Sequence, residues 1–310
     1  MNELTYLTAL AHLPRWRMQK INQVVAKILE KKLVFAEFFE LDKETWRKNF
    51  ALTPKEVNDL VKTREELPNY AFLLSELLSQ GVEIIPVYSS GYPQTLKENL
   101  KTEYAPPLLY TKGNKEIFRR EKVAVVGSRG ASPKALEFTK KITKNLVGQG
   151  KVIVSGFAKG IDRTALEVAL GNGGQTIIVL PQGILTFASG FRKYYQGLIQ
   201  GNLLVASTYH PKLPWGVGLA MGRNRYIYGL ANNIYVAESN FRGGTWNGVI
   251  DGLKKCGHQK IYVRRAGPME KCANNELIRR GAIGIDEELK IVGEDETNRQ
   301  EHLALFPRLC

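Results

Sequence analysis

The stretch from Val123 to Asp162 constrains the fold of this chain more than any other. It opens as V-A-V-V-G-S-R-G, passes through a helical run and closes as K-V-I-V-S-G-F-A-K-G-I-D. Twice, a β-branched apolar run ends in a small-residue turn that opens a helix. That pattern is a β-α-β-α unit with two glycine-rich loops, Gly127–Gly130 and Ser155–Gly160. Loops that lack bulky Cβ atoms and lead into helix N-termini are expected to present free backbone N–H groups, where a phosphate can sit. Each loop also carries a cation, Arg129 in the first and Lys159 in the second. The pair is expected to grip a phosphate-bearing ligand.

From Lys122 onward strands and helices alternate. Apolar runs at Val123–Val126, Val152–Val154, Thr176–Leu180, Leu203–Ala206, Ile234–Ala237 and Lys260–Val263 read as strands. Ser132-Pro133 caps the first helix, whose apolar face is Leu136, Phe138, Ile142 and Leu146. The expected fold is α/β: an extended Rossmann-like, mostly parallel sheet covered on both faces, with ligands at the carboxyl ends of its strands. Residues 1–80 read as an N-terminal helical module, with Leu4, Leu7, Leu10 and Leu13 at helical spacing and a capping box at Thr53–Glu56. Pro68 is expected to separate two of its helices. Residues 81–121 read as a lead-in layer with short strands at Val82–Val87 and Leu108–Tyr110. The main domain spans 122–266. A helix near Asn275–Arg280 and a tail make up 267–310, with the charged Glu294–Glu301 stretch expected as a frayed end.

Length, at 310 residues, suggests about two domains, and 44% hydrophobic with 24% charged residues is an ordinary globular balance. No apolar stretch approaches a membrane span, and the first residues lack a secretory pattern, so a cytoplasmic location is expected. Cys256, Cys272 and Cys310 lack metal-like spacing and read as inert thiols in a reducing compartment; with four scattered His, neither a metal nor a cofactor is expected. The formal net charge of +14 favours a polyanionic partner, nucleic acid ahead of an anionic membrane surface. Solubility alone is the other reading of that charge.

The loops narrow the choice. Gly127-Ser128-Arg129-Gly130 is not G-x-G-x-x-G, and Ser155 stands where a nicotinamide-dinucleotide site needs an acidic residue, so a dinucleotide redox enzyme fits poorly. Ser128 and Arg129 suit phosphate by hydroxyl and guanidinium donation, against a plain tight turn. In the second loop, Ser155, Gly156, Lys159 and Gly160 are candidate anion contacts; Phe157 reads as core ahead of base stacking. Asp162 serves either the helix dipole or the ligand. Phe191-Arg192-Lys193-Tyr194-Tyr195 interleaves cations with rings, as a single strand requires or as an amphipathic helix shows. Arg223-Asn224-Arg225 reads as the start of a helix, where two arginines oppose the dipole unless an anion neutralises them. An internal salt bridge, to Glu238 for instance, is the rival. Gly243, Gly244 and Thr245 resemble a phosphoribohydrolase loop, but Trp246 and a missing Glu leave it without its acid/base, so it reads as a binding loop.

Taken in order, these motifs resemble the DprA/Smf family (DNA-processing protein A). The matching pieces are V-A-V-V-G-S-R, V-I-V-S-G-F-A-K-G-I-D, G-R-N-R, the G-Y-P-x-x-L of Gly91–Leu96, P-P-L-L-Y-T-K-G-N and N-E-L-I-R-R-G-A, over roughly residues 80 to 285. The resemblance implies an extended Rossmann fold that binds single-stranded DNA, forms a homodimer and loads a RecA-type recombinase in natural transformation. By match, Arg129 and Lys159 lie at the DNA-binding edge, with Arg223, Asn224 and Arg225 lining the same pocket. R-G-G-T-W-N-G replaces the family's S-G-S-L-x-T-A, and A-S-T-Y its S-E-x-P. The leading expectation is a cytoplasmic, single-stranded-DNA-binding recombination mediator with no chemistry of its own. The rival is a small-nucleotide-binding sensor or phosphoribohydrolase-like enzyme using the same glycine-rich loops; a nucleotide-binding scaffold is the third.

Overall fold

Strands whose successive side chains are all apolar must be covered on both faces. In the computed structural model of the chain, which describes residues 2–254 and 259–292, the runs named above form the middle of one nine-stranded sheet. The expected charged end, Glu294–Glu301, and the thiols Cys256 and Cys310 lie outside the described residues.

Six helices come first: α1 (Glu3–Ala11), α2 (Met18–Glu30), α3 (Phe35–Glu40), α4 (Lys43–Phe50), α5 (Pro54–Glu65) and α6 (Leu67–Ser79). Thr53 and Glu56 form the expected capping box on α5. The two expected helices are separate, but the break falls at Glu66 and Pro68 sits in the first turn of α6, where its missing N–H has no intrahelical partner to lose. α3 and α4 are too short to give a periodic signal; their place is fixed by burial of Phe38, Phe39, Trp46 and Phe50, each contributing about 2–3 kcal/mol on transfer out of water.

The remaining elements are β1 (Glu83–Pro86), α7 (Gln94–Leu100), β2 (Leu108–Gly113), β3 (Lys122–Gly127), α8 (Pro133–Gly148), β4 (Val152–Ser155), α9 (Ile161–Gly171), β5 (Thr176–Val179), α10 (Ala188–Lys193), α11 (Tyr195–Ile199), β6 (Leu203–Ser207), α12 (Val217–Leu230), β7 (Asn233–Glu238), α13 (Gly244–Lys254), β8 (Lys260–Arg264), α14 (Asn274–Arg279) and β9 (Ile283–Ile285). The sheet order is β1-β2-β6-β5-β4-β3-β7-β8-β9. β6 through β9 run parallel, while β1 and β2 add an antiparallel edge. The lead-in strands are thus part of the main sheet.

Alternation sorts the core. Ala124 and Val126 of β3 join the apolar cluster under α7, α12 and α13, whereas Val123 and Val125 join the cluster under α8 and α9. Next to that second cluster, the N-terminal helices pack on the same sheet through Tyr110, Ile178 and Val205. His12 lies in this seam, its Nε2 2.8 Å from the Tyr110 hydroxyl. Burial, reinforced by the neighbouring His210, lowers the His12 pKa to about 3.

From β3 the chain steps outward through β4, β5 and β6, then returns to place β7 on the other side of β3. The strand order reverses there, and open parallel sheets bind ligands at the carboxyl ends of such strands. Gly127, the last residue of β3, is paired with Glu238, the last of β7.

Candidate nucleic-acid interface

The two glycine-rich loops abut. Gly160 has φ +87°, and a Cβ there would stand 2.5 Å from the Ser128 carbonyl oxygen and 2.8 Å from that of Arg129. A Cβ on Gly127 would meet Ile161 at 2.6 Å and the Glu238 carbonyl at 3.0 Å, and one on Gly156 would strike the Arg223 guanidinium. These three glycines are therefore required by the protein's own packing. The space that their missing Cβ atoms leave is filled by these neighbours.

The expectation of free N–H groups is met only in part. The Ser128 N–H donates to the Glu238 carbonyl at 2.9 Å. At the start of α8 the anion is internal: the Glu238 carboxylate accepts the Ser132 N–H and, at 2.6 Å, the Ser132 hydroxyl. At the start of α9 the buried Asp162 carboxylate accepts the Gly156 N–H at 3.1 Å. Burial pushes the Asp162 carboxyl up, opposed by the Arg223 guanidinium, by the N–H groups of Ala158 and Gly156, and by Arg129. The outer backbone remains open: among the described residues the N–H groups of Arg129, Gly130, Ala131, Lys159 and Gly160 meet no protein acceptor.

Arg223 departs from its expected role. It lies within α12, which begins at Val217, so the arginines are not at a helix start and the dipole argument does not apply. The residue is 3% exposed, and its guanidinium donates to the Gly156 carbonyl at 2.6 Å and to that of Val179. Burial lowers its pKa, opposed by Asp162. Gly156 is thus held from both sides, its N–H on Asp162 and its C=O on Arg223. Arg223 braces the second loop from beneath, and Glu238, its suggested ion-pair partner, is engaged by Ser132.

Arg129 and Lys159 are exposed and have no carboxylate within ion-pair distance among the described residues. Ser155 is buried and its hydroxyl donates to the Val125 carbonyl at 2.9 Å, which ties β4 to β3 and leaves it facing inward. Arg192 is exposed, whereas the Lys193 ammonium donates to Glu167 at 2.9 Å and lies 5.0 Å over the Tyr194 ring. The rings of Phe157, Phe187 and Tyr194 pack edge to face, at centroid distances of 5.2 Å and 5.6 Å from Phe157. Those rings are core, and Tyr195 alone of the 191–195 aromatics faces out. Phe157 holds φ +64°, a costly conformation for a non-glycine residue, fixed by this packing. Arg163, which the motifs did not mark, lies 4.9 Å over the Phe157 ring.

On the other side of β3, Arg225 is exposed and its Nε donates to the Gly222 carbonyl at 3.1 Å. Asn224 faces Gly244, where a Cβ would collide with the amide. Gly243 is exposed with φ +107° and has open space around it. The Thr245 carbonyl accepts weakly from the Tyr228 hydroxyl at 3.5 Å. Phe241 and Arg242, both exposed, complete this loop. No cluster of three metal-ligating side chains occurs among the described residues, and no described helix is long and apolar enough to cross a membrane.

Residues 83–294 match the sequence model of the family described as DNA recombination-mediator protein A. The chain is 41% identical over 172 residues to the DNA processing protein DprA of Streptococcus pneumoniae, covering 54% of this chain and 59% of that protein. It is 27% identical over 198 residues to DprA of Bacillus subtilis, covering 61% and 62%. The aligned stretch therefore spans about three-fifths of these relatives' length. The crystal structure of S. pneumoniae DprA superposes over 92% of this chain and 94% of its own, with a TM-score of 0.69 at 27% identity. A Helicobacter pylori structure, described as showing a single-stranded DNA binding mode of DNA processing protein A, shares the fold over 72% of this chain and 95% of its own, with a TM-score of 0.56 at 24% identity. On the family match over most of its sheet and the agreement in architecture, the chain belongs to the DprA/Smf family of DNA recombination mediators.

Proposed function

We propose that this protein binds single-stranded DNA along the carboxyl rim of its sheet and acts as a recombination mediator. The observation that carries this reading is the pair of exposed, unpaired cations, Arg129 and Lys159, on two loops that touch through Gly160. Open backbone N–H groups lie beside them, and Arg192, Arg225 and Arg242 are further exposed cations. Exposed cations on more than one loop suit a polymer of phosphates better than one small nucleotide. The reading includes a homodimer that hands the strand to a RecA-type recombinase, in the cytoplasm, by binding without turnover. Family membership supports these steps, and the H. pylori relative, whose structure is described as showing a single-stranded DNA binding mode, supports the strand binding alone.

A gel shift with poly-dT, run beside a thermal-shift screen of nucleotides, tests it. Binding of poly-dT with a log–log salt slope near −3.5, about five phosphate contacts on a single strand, is the expected result. Stabilisation by a mononucleotide with no retention of poly-dT would overturn it.

A further inference from the structure

The segment leaving β7 carries an aromatic surface of its own. Phe241 is 61% exposed, and its ring centroid lies 5.8 Å from that of Trp246 at an interplanar angle of 43°. Trp246, on the first turn of α13, is half-buried against the core, and the Arg280 guanidinium lies 5.4 Å over its ring. Phe241 is therefore held out by a ring that is itself fixed. The exposed Met221 flanks the same loop, its sulfur 3.4 Å from the Cβ position of Gly244. Arg225 and Arg242 are exposed beside it, without a carboxylate at ion-pair distance among the described residues.

Two rings and a thioether are too few for a stable protein interface, which takes roughly 20–30 residues a side. Rings interleaved with unpaired arginines are the composition that single strands use, with bases on the aromatic faces and phosphates on the cations. The place agrees. β7 neighbours β3, so this loop is next along the rim from Arg129.

We propose that Phe241, braced by Trp246, is a stacking subsite for a base of the single strand whose phosphates engage Arg129 and Lys159. This rests on the reading of the rim as a single-stranded-DNA interface. The subsite is sequence-tolerant, because every base has a π face.

Fluorescence anisotropy with oligo-dT and with an abasic phosphodiester strand of equal length separates the two readings. Phe241→Ala is expected to weaken oligo-dT binding roughly five- to 150-fold, the range for one stacked base, and to leave abasic binding within about twofold. Phe241→Tyr, which keeps the ring, is expected to retain the wild-type affinity for oligo-dT. Unchanged oligo-dT binding by Phe241→Ala, or an equal loss on both strands, would overturn the subsite. So would a change in sedimentation mass without DNA, which would place the ring between protein copies. If Arg129→Ala weakens oligo-dT and Phe241→Ala does not, the subsite alone falls. A wild-type protein that binds neither strand overturns both readings.

Discussion

Arg129 and Arg223 touch opposite ends of one loop. Gly160 closes that loop against the Arg129 carbonyl, and Gly156 lies on the Arg223 guanidinium. Arg129 is exposed, without a carboxylate partner among the described residues; Arg223 is 3% exposed and donates to two main-chain carbonyls. The buried guanidinium is held by two carbonyls, and its desolvation is partly offset by the nearby Asp162 charge. An exposed one keeps its donors for whatever arrives. Positive charge at this rim therefore has two uses, and only the exposed part is available to a polyanion.

The largest effect should come from the buried partner. Arg223→Met removes the donors on Gly156 and Val179 and the charge that most opposes the burial of Asp162, so we expect a loss of about 2–5 kcal/mol in unfolding free energy, as two buried carbonyls lose their donor. Chemical denaturation checks this, and a loss below about 1 kcal/mol would break the comparison. Arg129→Ala should do the opposite. Stability should stay within about 0.5 kcal/mol, while oligo-dT affinity falls by about 1–3 kcal/mol.

The seam beneath the helical segment buries a group that avoids charge. The folded-state pKa of His12 is lowered to about 3, below the ordinary 6.5 of the unfolded chain. Between those values the unfolded state takes up a proton that the native state does not. Stability is therefore fully present above pH 6.5 and falls as pH drops toward 3, by about 1.4 kcal/mol per unit. At pH 5 the protein should be about 2 kcal/mol less stable than at pH 7, and His12→Gln should flatten that slope in a denaturation series. The smallest effect should belong to Lys193, whose ammonium is paired with Glu167 at the surface. Lys193→Ala should cost less in oligo-dT affinity than Lys159→Ala, and under about 1 kcal/mol in stability.

Much of this architecture was legible. β-Branched runs such as Val152–Val154 and Ile234–Ala237 mark parallel strands because both faces are buried, and Ser132-Pro133 marks the start of α8 because its side chain caps it. Less legible was what the glycines are for. Gly127, Gly156 and Gly160 are required by Ile161, Arg223 and the Ser128 carbonyl, neighbours brought in by chain segments distant from at least one of them in sequence. The start of α12 was hidden because V-G-L-A-M-G carries two glycines that weaken the helical signal, so Arg223 looked terminal when it is internal. Nor does sequence distinguish a buried arginine from an exposed one, since the distinction lies in which carbonyls tertiary packing brings to it. Phe241 stood next to a motif that was read for its glycines, and its exposure follows only from the packing of Trp246.

The central claim is that the exposed cations of the two abutting loops hold the phosphates of a single strand. Its most direct test is the salt dependence of oligo-dT affinity for wild type and for the Arg129→Ala/Lys159→Ala double variant. We predict a log–log slope shallower by about 1.4, because two phosphates are no longer neutralised at about 0.7 each, with the thermal midpoint unchanged. A double variant that is folded and keeps the wild-type slope would contradict the account.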